Sequence, residues 1–237
     1  MKPATAIIAS LFRWRRAACE AVGSARYSRM GLYDLDRKLG RHLDFDGGVF
    51  VEAGANDGVN QSNTYYLERF RGWTGLLVEP APALAMACRR NRRSPVAEAA
   101  LVATEVPGAS VELHCAGLMS TVAGAMGDGD ATARHVESGR RVQRLAAAPP
   151  VRVPARTLSA LLDEAAVTRP IDLLSLDVEG AEVMALRGLD LERHAPRCIC
   201  VEARDEAAIA AVLGSRYELR EVLTALGTHR DLLYVRR

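Results

Sequence analysis

Residues 50–66 read FVEAGANDGVNQSNTYY. An apolar run ends in an acid, two glycines follow four residues apart, and a helix-like segment comes after. The short valine-rich run predicts a strand over 48–53. A helix is predicted over 62–70, with Ser62 as a possible N-cap. The turn between them gathers Glu52, Asn56 and Asp57. Asn and Asp are ordinary turn residues, so the turn by itself is either a connection or a binding loop.

Outward from this stretch, strands and helices alternate. Strands are predicted over 75–79, 96–102 and 110–115, with a helix over 83–91. Residues 116–150 are rich in Gly and Ala, contain GDGD, close on PP and show no clear period. They are predicted to be an irregular insert, a feature that is usually functional or mobile. Helices over 157–166, 181–189 and 205–214 then alternate with strands over 171–178 and 198–203. Two last strands, 217–223 and 231–237, flank a turn centred on Gly227 and predict an antiparallel hairpin. The whole predicts an α/β fold: a mostly parallel sheet with helices on both faces and an antiparallel strand added at one edge.

Such sheets bind ligands beyond the carboxyl ends of their strands. Four predicted strands end there in carboxylates: Glu52, Glu79, Asp177 and Glu202. Glu79 follows Gly54 by 25 residues, where an acid can accept hydrogen bonds from a ribose diol. The first turn, GANDG, is not the G-x-G-x-x-G that admits a pyrophosphate, and Glu52 and Asp57 would repel one. They suit a ligand with a positive end. S-adenosylmethionine has an ammonium, a sulfonium and a ribose.

The chain has 237 residues, enough for one large domain, and its net charge of +2 gives no reason to expect a nucleic-acid partner. The charge is uneven. Residues 1–30 carry Lys2, Arg13, Arg15, Arg16, Arg26 and Arg29 against Glu20 alone, so the remainder is net acidic. This start reads as a basic amphipathic segment preceding a domain over 31–237. It is either a helix packed on the domain or frayed, or it makes loose contact with a membrane surface or a partner. No run approaches the ~18 apolar residues of a membrane span. Five cysteines in no metal-ligand spacing predict reduced packing residues, with Cys198 and Cys200 on one strand face, and a cytoplasmic setting.

The blocks FVEAGANDGVNQSNTYYLERFRGWTGLLVEP and IDLLSLDVEGAEVMALRGL closely resemble the FkbM family of S-adenosylmethionine-dependent methyltransferases. The likeness covers roughly residues 31–205. It implies the Rossmann-like seven-stranded methyltransferase sheet, and an O-methyltransferase acting on a hydroxyl of a sugar, glycan or natural product. Glu52, Gly54, Ala55, Asn56, Asp57 and Gly58 match the family's first cofactor motif, which holds the methionine moiety. Glu79 matches the ribose-binding acid. Ala99 and Ala100 fall where the third strand ends near adenine, although Glu98 precedes them and a Gly-Asp pair is missing. Asp177 to Gly180 match the family's D-x-E-G block beside the transferred methyl.

An alcohol needs a general base or a metal to react with a sulfonium methyl. Asp177 and Glu202, on strands expected to be neighbours, are the candidate catalytic pair: either could take the proton, or together they could hold Mg²⁺. Glu179 and Glu182 either belong to this group or complement the next helix's dipole. His114 and His135 border the insert, and residues 118–121 could line the acceptor pocket. Two alternatives stand beside this reading: a protein or nucleic-acid methyltransferase, against which LDVEG lacks a (D/N)PP(Y/F) block, and a non-catalytic binding module that keeps the fold.

Overall fold

A computed structural model describes residues 3–127 and 129–237. Lys2 of the basic segment, Asp128 of the GDGD run, and the side chains of the short apolar patch before Ser10 lie outside the described residues.

The elements follow the chain as α1 (Pro3–Ala21), α2 (Leu35–Gly40), β1 (Val49–Ala53), α3 (Tyr65–Phe70), β2 (Thr74–Val78), α4 (Pro82–Asn91), β3 (Val96–Ala97), β4 (Ala100–Leu101), β5 (Ser110–His114), β6 (Thr121–Val122), α5 (Gly129–Gln143), β7 (Val151–Arg156), α6 (Leu158–Glu164), β8 (Leu173–Leu176), α7 (Glu182–Arg187), β9 (Cys198–Ala203), α8 (Glu206–Leu213), β10 (Tyr217–Ala225) and β11 (Arg230–Arg236). The main sheet has seven strands in the order β10-β11-β9-β8-β1-β2-β3. Strands β3, β2, β1, β8 and β9 run parallel, and β11 is antiparallel to both its neighbours.

Every residue of β1 is buried. Alternation along the strand divides its side chains between two cores. Val51 packs with Leu76, Leu174 and Val201 on one face. Phe50 packs with Leu77, Leu173 and Trp73 on the other. Burial on both faces explains why the parallel strands read as unbroken apolar runs. Cys198 and Cys200 lie buried on the Phe50 face, as expected from their spacing.

Four expectations are corrected. The antiparallel strand is not at the edge: β11 turns inward beside β9 and leaves β10 outermost. The strand expected over 96–102 is two short ones: β3 joins the main sheet, while β4 joins a second, four-stranded sheet β4-β7-β5-β6. Strand β7, over VRVPAR, was not expected; it holds that sheet together by pairing with β4 and β5. The insert is not irregular, because it contains β6 and the 15-residue helix α5. Only Thr132, Val136 and Gly139 of α5 are buried, at helical spacing. A Cβ on Gly139 would stand 2.7 Å from Met119 Cβ, so this glycine is what lets the helix settle on residues 117–119.

Candidate active site

The turn after β1 is held by the neighbouring strand ends. Gly54 has φ +85°, and a Cβ there would overlap the Asp177 carbonyl oxygen. Only glycine fits this close approach of two loops. The Gly54 and Ala55 amides both donate to Val78 O, at 3.0 and 3.1 Å. Asn56 N donates to Glu79 Oε2 and Ala81 N to Glu79 Oε1, each at 2.8 Å. Asp57 Oδ1 accepts from Val59 N and Asn60 N and closes the turn on itself.

A cleft lies over this rim. Gly54, Asn56, Glu79, Ala99, Ala100 and Asp177 line it, so the structure brings six of the expected residues to one space. Glu52, Ala55, Asp57, Gly58 and Glu202 are not among its lining residues. Ala55 is a core residue, and Gly58 packs against Arg92 and Cys88.

Glu52 points into a buried network. Its carboxylate accepts from Ser62 Oγ (2.8 Å), Asn63 N (2.8 Å) and Thr64 Oγ1 (2.6 Å), and pairs with Arg92 Nη1 at 3.3 Å. Arg92, fully buried, also pairs with Glu68 at 3.0 Å. Four donors thus occupy Glu52, and its part in the site is to set loop 60–64. Thr64, not Ser62, is the N-cap of α3, although Ser62 Oγ accepts from Tyr65 N at 3.0 Å; Ser62 also lines the cavity. Helix α3 starts at Tyr65, later than expected, because residues 62–64 are engaged with Glu52.

The insert supplies the roof. Gly117, Leu118, Ser120 and Val122 line the cavity with Leu113 of β5. Met119 instead packs against α5. Thr121 Oγ1 donates to Glu179 O at 2.7 Å, tying the roof to the loop after β8. His135 of α5 is buried with Nε2 3.1 Å from Glu179 Oε2, a close approach without hydrogen-bond alignment. His114 is not among the lining residues.

That loop gathers the acids. Leu176 and Val201 are paired in β8 and β9, so Asp177 and Glu202 follow side by side. Asp177 opens to the cavity yet is walled by protein; burial, then the charges of Glu202, Glu179, Glu182 and Asp231, push its carboxyl well above the usual range. Glu202 is pushed up to about 8 by burial and then by Glu179. Burial likewise pushes Glu79 up to about 7, against the two backbone N–H groups it accepts. Glu182 Oε1 accepts from Val178 N and Gly180 N, so it clamps the loop as well as opening α7. Glu179 lines the cavity.

Arg204, which sequence reasoning missed, donates 2.8 Å hydrogen bonds to both Glu179 Oε2 and Glu202 Oε1. This arrangement does not fit Mg²⁺ between Asp177 and Glu202. Arg204 already engages Glu202, joining it to Glu179 and not to Asp177, and among the described residues no three His, Cys, Asp or Glu side chains group as a ligand set.

Strand order reverses at β1, and a cleft lined by acids rather than a phosphate loop lies over the carboxyl ends there, the place where doubly wound α/β sheets bind their ligands. The family model described as the methyltransferase FkbM domain matches residues 52–233. The chain belongs to this family of S-adenosylmethionine-dependent methyltransferases. No curated protein matches the sequence. Among solved structures it is similar to a TehB-like SAM-dependent methyltransferase from Corynebacterium glutamicum, at 11% identity over 100% of both chains with a TM-score of 0.43. It is also similar to TrmN from Thermus thermophilus, at 12% identity over 86% of this chain and 49% of that one, TM-score 0.44. A SAM dependent methyltransferase from Aquifex aeolicus is 9% identical over 89% and 92% of the two chains, TM-score 0.39.

Proposed function

We propose that the protein methylates a hydroxyl of a sugar, glycan or natural product. The observation that carries this reading is the carboxylate of Asp177, open to the cavity and backed by Glu202.

S-adenosylmethionine, when bound, supplies an electrophilic methyl on a sulfonium. Glu79 would accept the ribose hydroxyls, and Ala99 and Ala100, beside Leu101 and Leu113, offer adenine an apolar wall. Gly54 and Asn56 border the methionine end, and Glu52 acts there through the loop it sets. The roof residues Leu118 and Ser120 cover the space left for the acceptor. Enclosure aligns acceptor and methyl and displaces water, which is worth roughly 7–11 kcal/mol in well-oriented cases.

Asp177 would take the proton of the acceptor hydroxyl. Its raised pKa makes it, once ionised, a stronger base than an ordinary carboxylate. Asp177 and Glu202 titrate as a pair. The Arg204 guanidinium beside Glu202 favours its ionised form, against burial and the neighbouring acids.

Asp177→Asn keeps the shape and removes the base. Turnover should fall about 10²- to 10⁴-fold, while cofactor affinity measured by calorimetry stays close to that of the parent. Near-normal turnover with the same acceptor would exclude Asp177 as the base.

A further inference from the structure

The end of α1 is stitched to the domain beside the cavity loop. Glu20 accepts from Ser28 Oγ at 2.8 Å and Tyr65 OH at 2.9 Å, and Arg16 lies over the Tyr65 ring. Gly31 bridges to Gln61, a cavity residue. Before this anchor the helix leaves the domain. Leu11, Phe12, Arg13, Trp14 and Arg15 are all exposed, Trp14 at 69%.

The following turn adds to the same surface. Tyr27 packs edge-on to Phe12, its hydroxyl accepts from Arg15 Nη2 at 2.7 Å, and Arg26 covers its ring. Val22 stands 80% exposed in this turn. Six of the eleven large hydrophobic side chains found exposed in the described residues fall between Leu11 and Tyr33. The only acid in residues 1–30, Glu20, is turned inward to the domain. The exposed segment is therefore apolar and cationic together, on a chain whose remaining residues are net acidic.

We propose that this segment docks on an anionic lipid surface. Aromatic and aliphatic side chains enter the headgroup boundary while arginines beside them meet lipid charge. A nucleic acid would use the arginines and aromatic rings but gives Leu11 and Val22 nothing to contact. A helix lying on the surface needs no span, and among the described residues no helix is long and apolar enough to cross a membrane.

The chain has two tryptophans, and Trp73 is 1% exposed, so a change in emission on adding vesicles reports Trp14. The full chain is mixed with vesicles of phosphatidylcholine containing about one third phosphatidylglycerol, and co-sedimentation is measured in parallel. A blue shift and co-sedimentation are expected with these vesicles and not with phosphatidylcholine alone, with release by salt. Arg13→Gln with Arg15→Gln should bind about thirtyfold more weakly, at about fivefold per arginine, and Trp14→Ser should also weaken binding. Both variants should retain the parent's urea midpoint. Three results would each overturn the proposal: a folded parent that does not sediment with anionic vesicles, equal binding to neutral vesicles, or a vesicle-independent blue shift that follows dimer formation in light scattering.

Discussion

Glu79 holds the first turn through Asn56 N and Ala81 N, and the proposed function also has it accept the ribose. Its pKa near 7 ties the two tasks to pH. Only the ionised carboxylate accepts both hydroxyls, so cofactor affinity should fall as pH drops below about 7; calorimetry across this range measures it. Glu79→Gln should weaken binding roughly ten- to hundredfold and flatten the pH dependence. A variant as pH-dependent as the parent would assign the titration to another group. Glu79 and Asp177 were legible in the sequence because each stands just past the end of an apolar strand. Glu52 looked equivalent and is not. It lies inside β1 and in phase with Phe50, so it meets the polar loop 62–64 and Arg92 on that face. Arg204 gave no signal, since a lone arginine after a strand is an ordinary solvated residue until Glu179 is folded against it.

At the scale of elements, the loop before α3 depends on a charge buried at a distance. Arg92 joins Glu52, Glu68, Ser62 and Thr64, and its side chain has no exposure. Arg92→Met would leave two buried carboxylates facing one another. Breaking a buried pair costs about 3–5 kcal/mol, and urea unfolding should show a loss of that size. Adding Glu52→Gln and Glu68→Gln should recover part of it; no recovery would mean that packing, not charge, is what Arg92 supplies. Helix α5 escaped the sequence reading for a related reason. Its inward stripe is Thr132, Val136 and Gly139, which has helical spacing but little hydrophobic contrast. Strand β7 was hidden by Pro154, which argues against a strand interior.

At the scale of the molecule, the parallel sheet was legible because strands buried on both faces have a plain apolar signature, whereas the order of the hairpin strands depends on which one finds β9. The clustered acids have a cost for the whole fold. Asp177, Glu79, Glu182, Glu202 and Asp231 all have raised pKa values. The native chain then holds protons that the unfolded chain has released, so stability should fall as pH rises from about 5 to about 8. Urea midpoints across that window test the sign, and a midpoint that rises instead would contradict the assigned shifts. Cofactor should oppose the loss, because it favours ionised Glu79. The most direct measurement is a calorimetric titration of the chain with S-adenosylmethionine near pH 8. Saturable one-to-one binding, weakened in Glu79→Gln, is the expected result. No heat of binding at millimolar cofactor, from protein shown to be folded, would contradict methyl transfer at this cavity.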